Sequence, residues 1–247
     1  MEKSSHQVKV KVMDANELYD PEFRKLIKSK KLTVIIPVGS IEQHGAHLPI
    51  TTDSDIVTEI ASRLAKKCGF IVFPTVNYGI SEEHDPFFNI SLSKQTVLKI
   101  LKDIDRSLRK NKSLMRIIFL NGHHGNVESL KSAWKYWGMT DTWAEVTRSY
   151  SYWHWMKHEF DHAGFVETSL MLAISDKVKM KKAKKGFTTK GLSKKEIRRI
   201  SKLSTQPGGF PKVAKNGVWG DPTGATKKDG EKFLAEIVRN LAKECQS

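Results

Sequence analysis

Three side chains of the kinds that bind divalent metals follow the first apolar run of the chain. Glu42 and His44 are two residues apart, so in extended backbone both point to the same side, and Asp53 follows shortly after. Two carboxylates and an imidazole suit zinc, iron or manganese. Singly, these residues have ordinary explanations as a surface glutamate, a core histidine and a helix cap. Together in one loop they favour a metal site.

A second group of candidate ligands follows a later apolar run. The sequence Asn121-Gly-His-His-Gly-Asn126 places His123 and His124 between two glycines that allow a close turn. Asn126 could simply cap the next helix. Because both loops follow buried strands, we expect them to meet at one edge of a parallel sheet, where sites of such folds form.

A third group, residues 161–169, leads into an apolar helix. Glu167 falls in the first turn of this helix, where the dipole favours a carboxylate. A glutamate beside an apolar stretch otherwise needs a partner, and a metal would be one. His162 could donate a proton to a leaving nitrogen.

Four residues are candidates for substrate contact: His124 of the second group, and Glu83, His84 and Trp153. Glu83 and His84 follow a turn at Tyr78-Gly79 and are interpreted either as a rim loop that touches substrate or as a solvated loop. Trp153 belongs to an aromatic cluster that either packs in the core or stacks on a planar ring. Neither a phosphate-binding glycine-rich loop nor a nucleophile elbow is present.

Alternating strands and helices must position these groups. The apolar runs predict strands at Leu32–Val38, Phe70–Phe73, Arg116–Leu120 and Trp143–Val146. Helices are predicted after caps at Ser54, Ser93 and Asn126, and a closing helix at Glu231–Glu244. This alternation predicts a single α/β domain over residues 1–247, a three-layer α/β/α sandwich with a mainly parallel sheet.

Charge is concentrated in one segment. The chain has a net charge of +15, and residues 177–202 contain twelve Lys or Arg residues against one acid, Glu196. The segment is either a solvated, flexible insertion or a surface for an anionic partner, such as a phosphorylated substrate. Without interleaved aromatic residues, nucleic acid is not expected. The sequence has no apolar run of membrane-spanning length and no signal-peptide pattern. Cys68 and Cys245 form no motif. We therefore expect a cytoplasmic protein with free thiols.

Four stretches between Val38 and Thr226 carry a resemblance to a known family. VGSIEQHGAHLPITTD, NGHHGN, HAGFVETSLMLA and GVWGDPTGAT resemble the creatininase family of creatinine amidohydrolase-like metal hydrolases. The resemblance implies an α/β/α sandwich with two divalent metals per chain, usually in homo-hexamers. It also implies a role for each matching residue. Glu42 and His123 would bind one metal, His44 would bind the other, and Asp53 would bridge the two. His162 would be the catalytic histidine, and Glu167 would be a metal ligand or would contact one.

The chain departs from creatininase itself at several positions. Creatininase has an acidic ligand where this chain has Gly125 and a tyrosine where it has His124, and its tryptophan-bearing segment before the catalytic histidine is longer. The sequence PFFNISLS, in the predicted rim loop, also differs from the sequence usual in the family. Glycine at the position of Gly125 is common in other branches, including an archaeal deformylase of riboflavin and deazaflavin biosynthesis. That enzyme removes formate from a formylamino-pyrimidine ribonucleotide.

Three hypotheses follow. The first is an amidohydrolase of the deformylase type, which cleaves a non-peptide amide or formamide bond in a nucleotide-like heterocycle. The second is a creatininase that opens a cyclic amide. In both, metals would activate a water for attack on the carbonyl, and His162 would protonate the departing nitrogen. The third is a non-catalytic binding protein that has lost its second metal with the acid at Gly125. The expected partner is a small molecule, with no membrane involved.

Overall fold

Parallel strands form one twisted sheet in the computed structural model, which describes residues 13–29, 31–111, 114–136 and 147–246. The strands are β1 (Met13–Asp14), β2 (Leu32–Val38), β3 (Ile71–Val72), β4 (Leu114–Asn121) and β5 (Thr147–Ser151). Their order is β1-β3-β2-β4-β5, and each described neighbouring pair is parallel.

The centre of the sheet is the pairing of β2 with β4. Val34 lies opposite Ile117, and the register continues to Val38 opposite Asn121. The loops that follow these two strands therefore start side by side at the same edge. Every residue of β2 is buried, as its continuous apolar sequence predicts for a strand covered on both faces.

The strand predictions are confirmed for three of four segments, two of them with shifted ends. Leu32–Val38 is predicted with the observed bounds, β3 is shorter than Phe70–Phe73, and β4 is longer than Arg116–Leu120. The fourth predicted strand, Trp143–Val146, lies outside the described residues.

Helices cover both faces of the sheet. They are α1 (Asp20–Ser29), α2 (Thr52–Cys68), α3 (Lys94–Arg109), α4 (Val127–Tyr136), α5 (Phe165–Ile174), α6 (Lys194–Ser204), α7 (Phe210–Val213) and α8 (Lys227–Gln246). The predicted closing helix is thus a few residues longer at each end. Helices α2, α5 and α8 pack together on one face, and α1, α3 and α4 lie on the other.

Two apolar clusters show why the fold has three layers. Ile35 and Ile118 point into the cluster with α2, α5 and α8, whereas Val34, Ile36 and Ile117 point into the cluster with α1, α3 and α4. Successive residues of a strand face opposite sides, so each apolar strand supplies both clusters. The predicted α/β/α sandwich is confirmed.

Of the three predicted helix starts, those of α3 and α4 are correct and that of α2 is wrong. Helix α4 begins at Val127, directly after Asn126, although the Asn126 side chain bonds to the backbone of Ile80 and Gly39 instead of capping the helix. The Ser93 hydroxyl accepts a hydrogen bond from the Thr96 amide and caps α3 as predicted. Helix α2 begins at Thr52 instead of after Ser54, because the Thr52 hydroxyl donates to the Pro49 carbonyl (2.7 Å) and closes the preceding turn. Asp53 therefore lies inside the first turn of α2.

The basic segment 177–202 is partly regular. It contains a 3-10 turn at Met180–Lys182 and most of α6, whose N-terminus is a capping box formed by Ser193 and Glu196. Within the described part of the chain, no helix has the length and apolarity needed to cross a membrane. Cys68 and Cys245 are free thiols.

Candidate metal centre

The candidate ligands meet at the carboxyl edge of the sheet. Glu42 and His44 lie in the loop after β2, His123 in the loop after β4, Asp53 in the first turn of α2 and Glu167 in the first turn of α5. All five are buried, with at most 3% of their surface exposed. Residues from three distant parts of the chain, 42–53, 123 and 167, thus converge on one buried centre.

Gly122 permits the close approach that this convergence requires. A Cβ atom at this position would lie 2.6 Å from the backbone oxygen of Asp53, closer than side chains tolerate. The start of α2 therefore packs directly against the loop after β4. That contact brings the carboxylate of Asp53 to the ring of His123.

Asp53 joins two clusters of ligand atoms. Its Oδ2 lies 3.0 Å from His123 Nδ1, which is also 3.2 Å from Glu42 Oε2. Its Oδ1 lies 3.2 Å from His44 Nε2, which is also 3.5 Å from Glu167 Oε2. In each cluster of three residues, one potential ligand atom per residue lies within 4.8 Å of the others.

Several atoms of these clusters have no hydrogen-bond partner. They are both carboxylate oxygens of Glu42, Nε2 of His44 and Oδ2 of Asp53. Buried polar atoms are usually satisfied, since leaving them bare costs about 1–3 kcal/mol each. Carboxylate and imidazole donors suit zinc, manganese or iron. The residues present therefore fit divalent cations.

The ionisation of these groups reflects their mutual contacts. Burial opposes charge on the His44 ring, but the carboxylates of Asp53 and Glu167 outweigh it and raise the pKa of His44 to about 10. Burial alone would raise the pKa of Glu42, but His123 and His84 bring it below its usual range. Positive charge is therefore favoured among these carboxylates, and bound cations would supply it in place of protons.

A strained turn fixes the start of α5. Ala163 has φ of +51°, and its backbone N–H donates to Glu167 Oε2 at 2.6 Å. The Asp161 carboxylate accepts the backbone N–H of Val166 at 3.0 Å. Burial, together with the negative charges of Asp53 and Asp161, raises the pKa of Glu167 to about 8. The turn thus holds Glu167 inward against electrostatic repulsion, as a metal ligand requires.

Glu83 and His84 are buried next to the centre, which excludes the solvated-loop interpretation. His84 Nε2 lies 3.1 Å from Glu42 Oε1, and Glu83 Oε1 lies 3.5 Å from His123 Nε2. His123 Nε2 also contacts the backbone oxygen of Ile80 at 2.6 Å, which orients Nδ1 towards the two carboxylates.

His162 lies beside the centre and is held by Gln43. Gln43 Nε2 is 3.1 Å from His162 Nε2 and 3.0 Å from His84 Nδ1, so one amide orients both rings. The other ring nitrogen of His162, Nδ1, lies 3.7 Å from Glu42 Oε1. Burial and the neighbouring His44 and His84 hold the pKa of His162 well below its usual range. Sequence reasoning missed Gln43, although it stands between Glu42 and His44.

Trp153 takes a different position from the one expected of a substrate contact. Its ring is 8% exposed and stacks on Phe160, with ring centres 4.7 Å apart. It lies behind His124, 6.1 Å from that ring, and is absent from the lining of the cavity, whereas His124 is part of it. Trp153 therefore packs in the core. Of the two interpretations of the aromatic cluster, core packing is correct for this residue and stacking on a substrate ring is not.

A cavity of about 210 Å³ opens onto the centre. Six further lining residues were not predicted to belong to the site. They come from the loop before His162, from the end of α6 and the residue after it, from α7, and from the GVWGDPTGAT stretch: Phe160, Ser201, Ser204, Thr205, Phe210 and Trp219. Of these six, only Trp219 lies in a stretch that carries the family resemblance. The three hydroxyl-bearing residues belong to the end of the basic segment or follow it directly. Part of that segment is thus a wall of the site.

The model of one protein family matches nearly the whole chain. Residues 16–245 match the family model described as "Creatininase: Creatinine amidohydrolase". The chain belongs to the creatininase family. It is a creatininase-family amidohydrolase.

Relatives within the family act on different substrates. The chain is 36% identical over 219 residues to a mycofactocin precursor peptide peptidase of Mycolicibacterium smegmatis, covering 85% of this chain and 82% of the relative. It is 29% identical to a creatinine amidohydrolase of Pseudomonas putida over 64% of this chain and 70% of that one. A Methanobrevibacter ruminantium formylamino-pyrimidine nucleotide deformylase is 32% identical, but over only 38% of this chain and 40% of the relative. The peptidase relatives were not anticipated from the sequence.

Solved creatininases have the same fold. A structure described as "Creatininase Mn" superposes with a TM-score of 0.77 at 24% identity, covering 95% of this chain and 97% of the other. A variant creatininase of Zn-Zn type has a TM-score of 0.75. The family resemblance and the fold expected from it are both confirmed.

Proposed function

We propose that this creatininase-family enzyme hydrolyses an amide bond of a peptide-like substrate at a centre of two divalent cations. The observation that carries the proposal is the position of Asp53, whose two oxygens face two different histidines, His44 and His123. A carboxylate placed in this way is suited to bridge two cations.

The clusters suggest a ligand set for each cation. Glu42, Asp53 and His123 would hold one cation, and His44, Asp53 and Glu167 would hold the other. The second set is complete without an acid at Gly125, so the absence of that acid does not favour a non-catalytic protein. When bound, the two cations would supply the Lewis acidity that activates water and stabilises negative charge on a carbonyl oxygen.

His162 is the candidate for proton transfer. Gln43 fixes its ring from the Nε2 side, which leaves Nδ1 facing the centre beside Glu42. A proton held at Nδ1 is therefore placed where a departing nitrogen would need it. The side chain of His162 is 14% exposed and lines the cavity, so a substrate there can reach the ring.

The cavity favours insertion of only the reactive end of a substrate. Its volume of about 210 Å³ is below the roughly 300–1,000 Å³ of sites that enclose a drug-sized ligand. Phe160, Phe210 and Trp219 give it apolar walls, so it suits one side chain next to the cleaved amide. The peptidase relatives, which match most of this chain, support a peptide-like substrate.

A second candidate is deformylation of a formylamino-pyrimidine nucleotide, the reaction of the methanogen relative in riboflavin-type biosynthesis. The formamide group is small enough for the cavity, and Gly125 occurs in that branch. The match to this relative covers a much smaller share of the chain, so we place it second. Creatinine opening is third, because this chain departs from creatininase at Gly125 and His124.

The test combines metal analysis with three assays. The chain is purified aerobically and anaerobically, its zinc, manganese and iron are measured, and it is assayed with peptides, the formylamino-pyrimidine nucleotide and creatinine. We expect about two metals per chain and hydrolysis of peptides. Hydrolysis of the nucleotide alone would support the second candidate, and a metal-loaded protein without hydrolase activity would reject the proposal. The hexamer implied by the resemblance stays a prediction, which light scattering can test.

A further inference from the structure

The basic segment presents positive charge that the protein neutralises only in small part, through the contacts of Arg199 with Glu196 and of Lys185 with Asp221. All twelve Lys and Arg side chains of residues 177–202 are exposed. Among the described residues, ion pairs of Lys and Arg occur elsewhere, on α1, α2, α3, α4 and α8, and none involves these twelve. Uncompensated charge of one sign lowers folded stability through self-repulsion and attracts anions, so a partner of opposite charge is the natural complement.

This charge continues into the wall of the candidate site. Ser201, Ser204 and Thr205, at the end of α6, line the cavity. Arg198 precedes Ser201 by three residues and Thr205 by seven, spacings that place side chains on the same side of a helix. Lys194 lies one turn before Arg198, and Lys202 lies one turn after it, where it borders a neighbouring surface groove. We call Lys194, Arg198 and Lys202 the α6 stripe.

We propose that the α6 stripe binds acidic side chains of a peptide substrate whose cleaved end enters the cavity. This inference rests on the proposed function and names its substrate class more narrowly. The cavity holds only the end of a substrate, so the remainder must cross the rim, and α6 forms part of that rim. Carboxylates along the peptide would meet the cations of the stripe in turn.

The length of the stripe favours a peptide over a single phosphate group. From Lys194 to Thr205 the helix rises by about 16 Å at 1.5 Å per residue. An extended peptide covers that distance with about five residues at 3.3 Å each. One phosphate needs only a few cations at one point, whereas these cations are spread along the helix.

Nucleic acid fits this surface less well. Proteins that bind single strands combine positive charge with exposed aromatic rings on which bases stack. Phe187 is the only aromatic residue of the segment. It is partly buried and packs edge-on against Trp219, with ring centres 4.8 Å apart. The stripe therefore offers charge without a stacking platform.

A charge-reversal experiment tests the inference. The R198E/K202E variant is compared with a matched K25E/K28E variant, whose exposed lysines lie on α1 on the opposite face of the sheet. Both variants change the net charge equally, and circular dichroism checks that both fold. The probes are fluorescein-labelled decapeptides of alternating Gly and Glu, or Gly and Gln, measured by fluorescence anisotropy at low salt.

We expect the Glu peptide to bind at least about tenfold more tightly than the Gln peptide. R198E/K202E should lose this preference and raise KM for acidic peptides with little change in kcat, whereas K25E/K28E should retain the preference. Equal loss in both variants would overturn the inference, because net charge alone would then explain binding. Tighter binding of a ten-nucleotide oligouridylate or of a mononucleotide would also overturn it.

The inference and the proposed function can fail separately. Binding is measured with Asp53→Asn protein, in which cleavage is blocked, and hydrolysis is measured with the metal-loaded wild type. Equal hydrolysis of acidic and neutral peptides would overturn the inference and leave the proposed function standing. Tight, stripe-dependent binding without hydrolysis by the wild type would support the inference and reject the proposed function.

Discussion

Glu83 occupies the space into which a side chain at Gly125 would extend. A Cβ atom on Gly125 would lie 2.8 Å from Glu83 Oε1 and 2.5 Å from His123 Nε2, and it would overlap the carbonyl oxygen of Ile80. The family resemblance predicts an acid at this position in creatininase, whereas in this chain the carboxylate of Glu83 comes from the loop after β3. The glycine is therefore required by its surroundings.

Replacing Gly125 by alanine should destabilise the protein and displace His123. Overpacking of this kind costs about 1–3 kcal/mol in the free energy of unfolding, which urea denaturation measures. Gly224→Ala is the matched control, because a Cβ atom there has nothing within 4 Å. Equal stability of the two variants would show that the loop relaxes freely.

Replacing Asp53 by asparagine should remove the bridge between the two clusters. An amide lacks the second anionic oxygen, so bound metal should fall from about two per chain to less than one. The loss of activity should exceed about a hundredfold, the upper range for residues that merely support a ligand. Asp55→Asn, two residues further along the same helix, is the control and should keep both metal and turnover, as elemental analysis and assay will report.

Metal binding should stabilise the folded chain, because the unfolded chain has no preformed site. Zinc or manganese at about one hundred times its dissociation constant should add about 2.7 kcal/mol for one independent site. For a chain of this length that corresponds to a rise in Tm of roughly 5–10 °C over the chelator-treated protein. Calorimetry of Asp53→Asn should show a much smaller rise, and an equal rise would place the binding elsewhere.

Replacing His162 by glutamine should lower kcat by about 100- to 10,000-fold, the usual contribution of a positioned proton donor. Metal content should stay unchanged, because His162 belongs to neither of the two ligand sets proposed above, although its ring also lies within reach of Glu42 and His44. His158→Gln is the control, since His158 is exposed and belongs to none of the groups of potential ligands. Its Nδ1 contacts the backbone oxygen of Glu159, and its ring packs on Phe165 and Phe233. Loss of metal from His162→Gln would assign the residue to coordination instead of proton transfer.

The sequence by itself determined the layers of the fold and the loops that carry the site. Apolar runs such as Leu32–Val38 can be buried only between two helical layers, and the groups around Glu42, His123 and Glu167 stand at element boundaries that local patterns reveal. Local patterns also predicted the cap at Ser93, because a helix start depends on a few neighbouring residues.

Only the tertiary structure decided how these residues share one centre. The early start of α2 turns Asp53 towards both His44 and His123. The distances from its carboxylate oxygens to these two rings cannot be read from the spacing of the residues in the sequence. Contacts between distant segments also decide three further features. Glu83 is buried beside Gly125, Trp153 packs in the core, and α6 lies against the cavity. Such contacts are set by the packing of the whole core, whereas sequence patterns report only on neighbours within a few turns or strands.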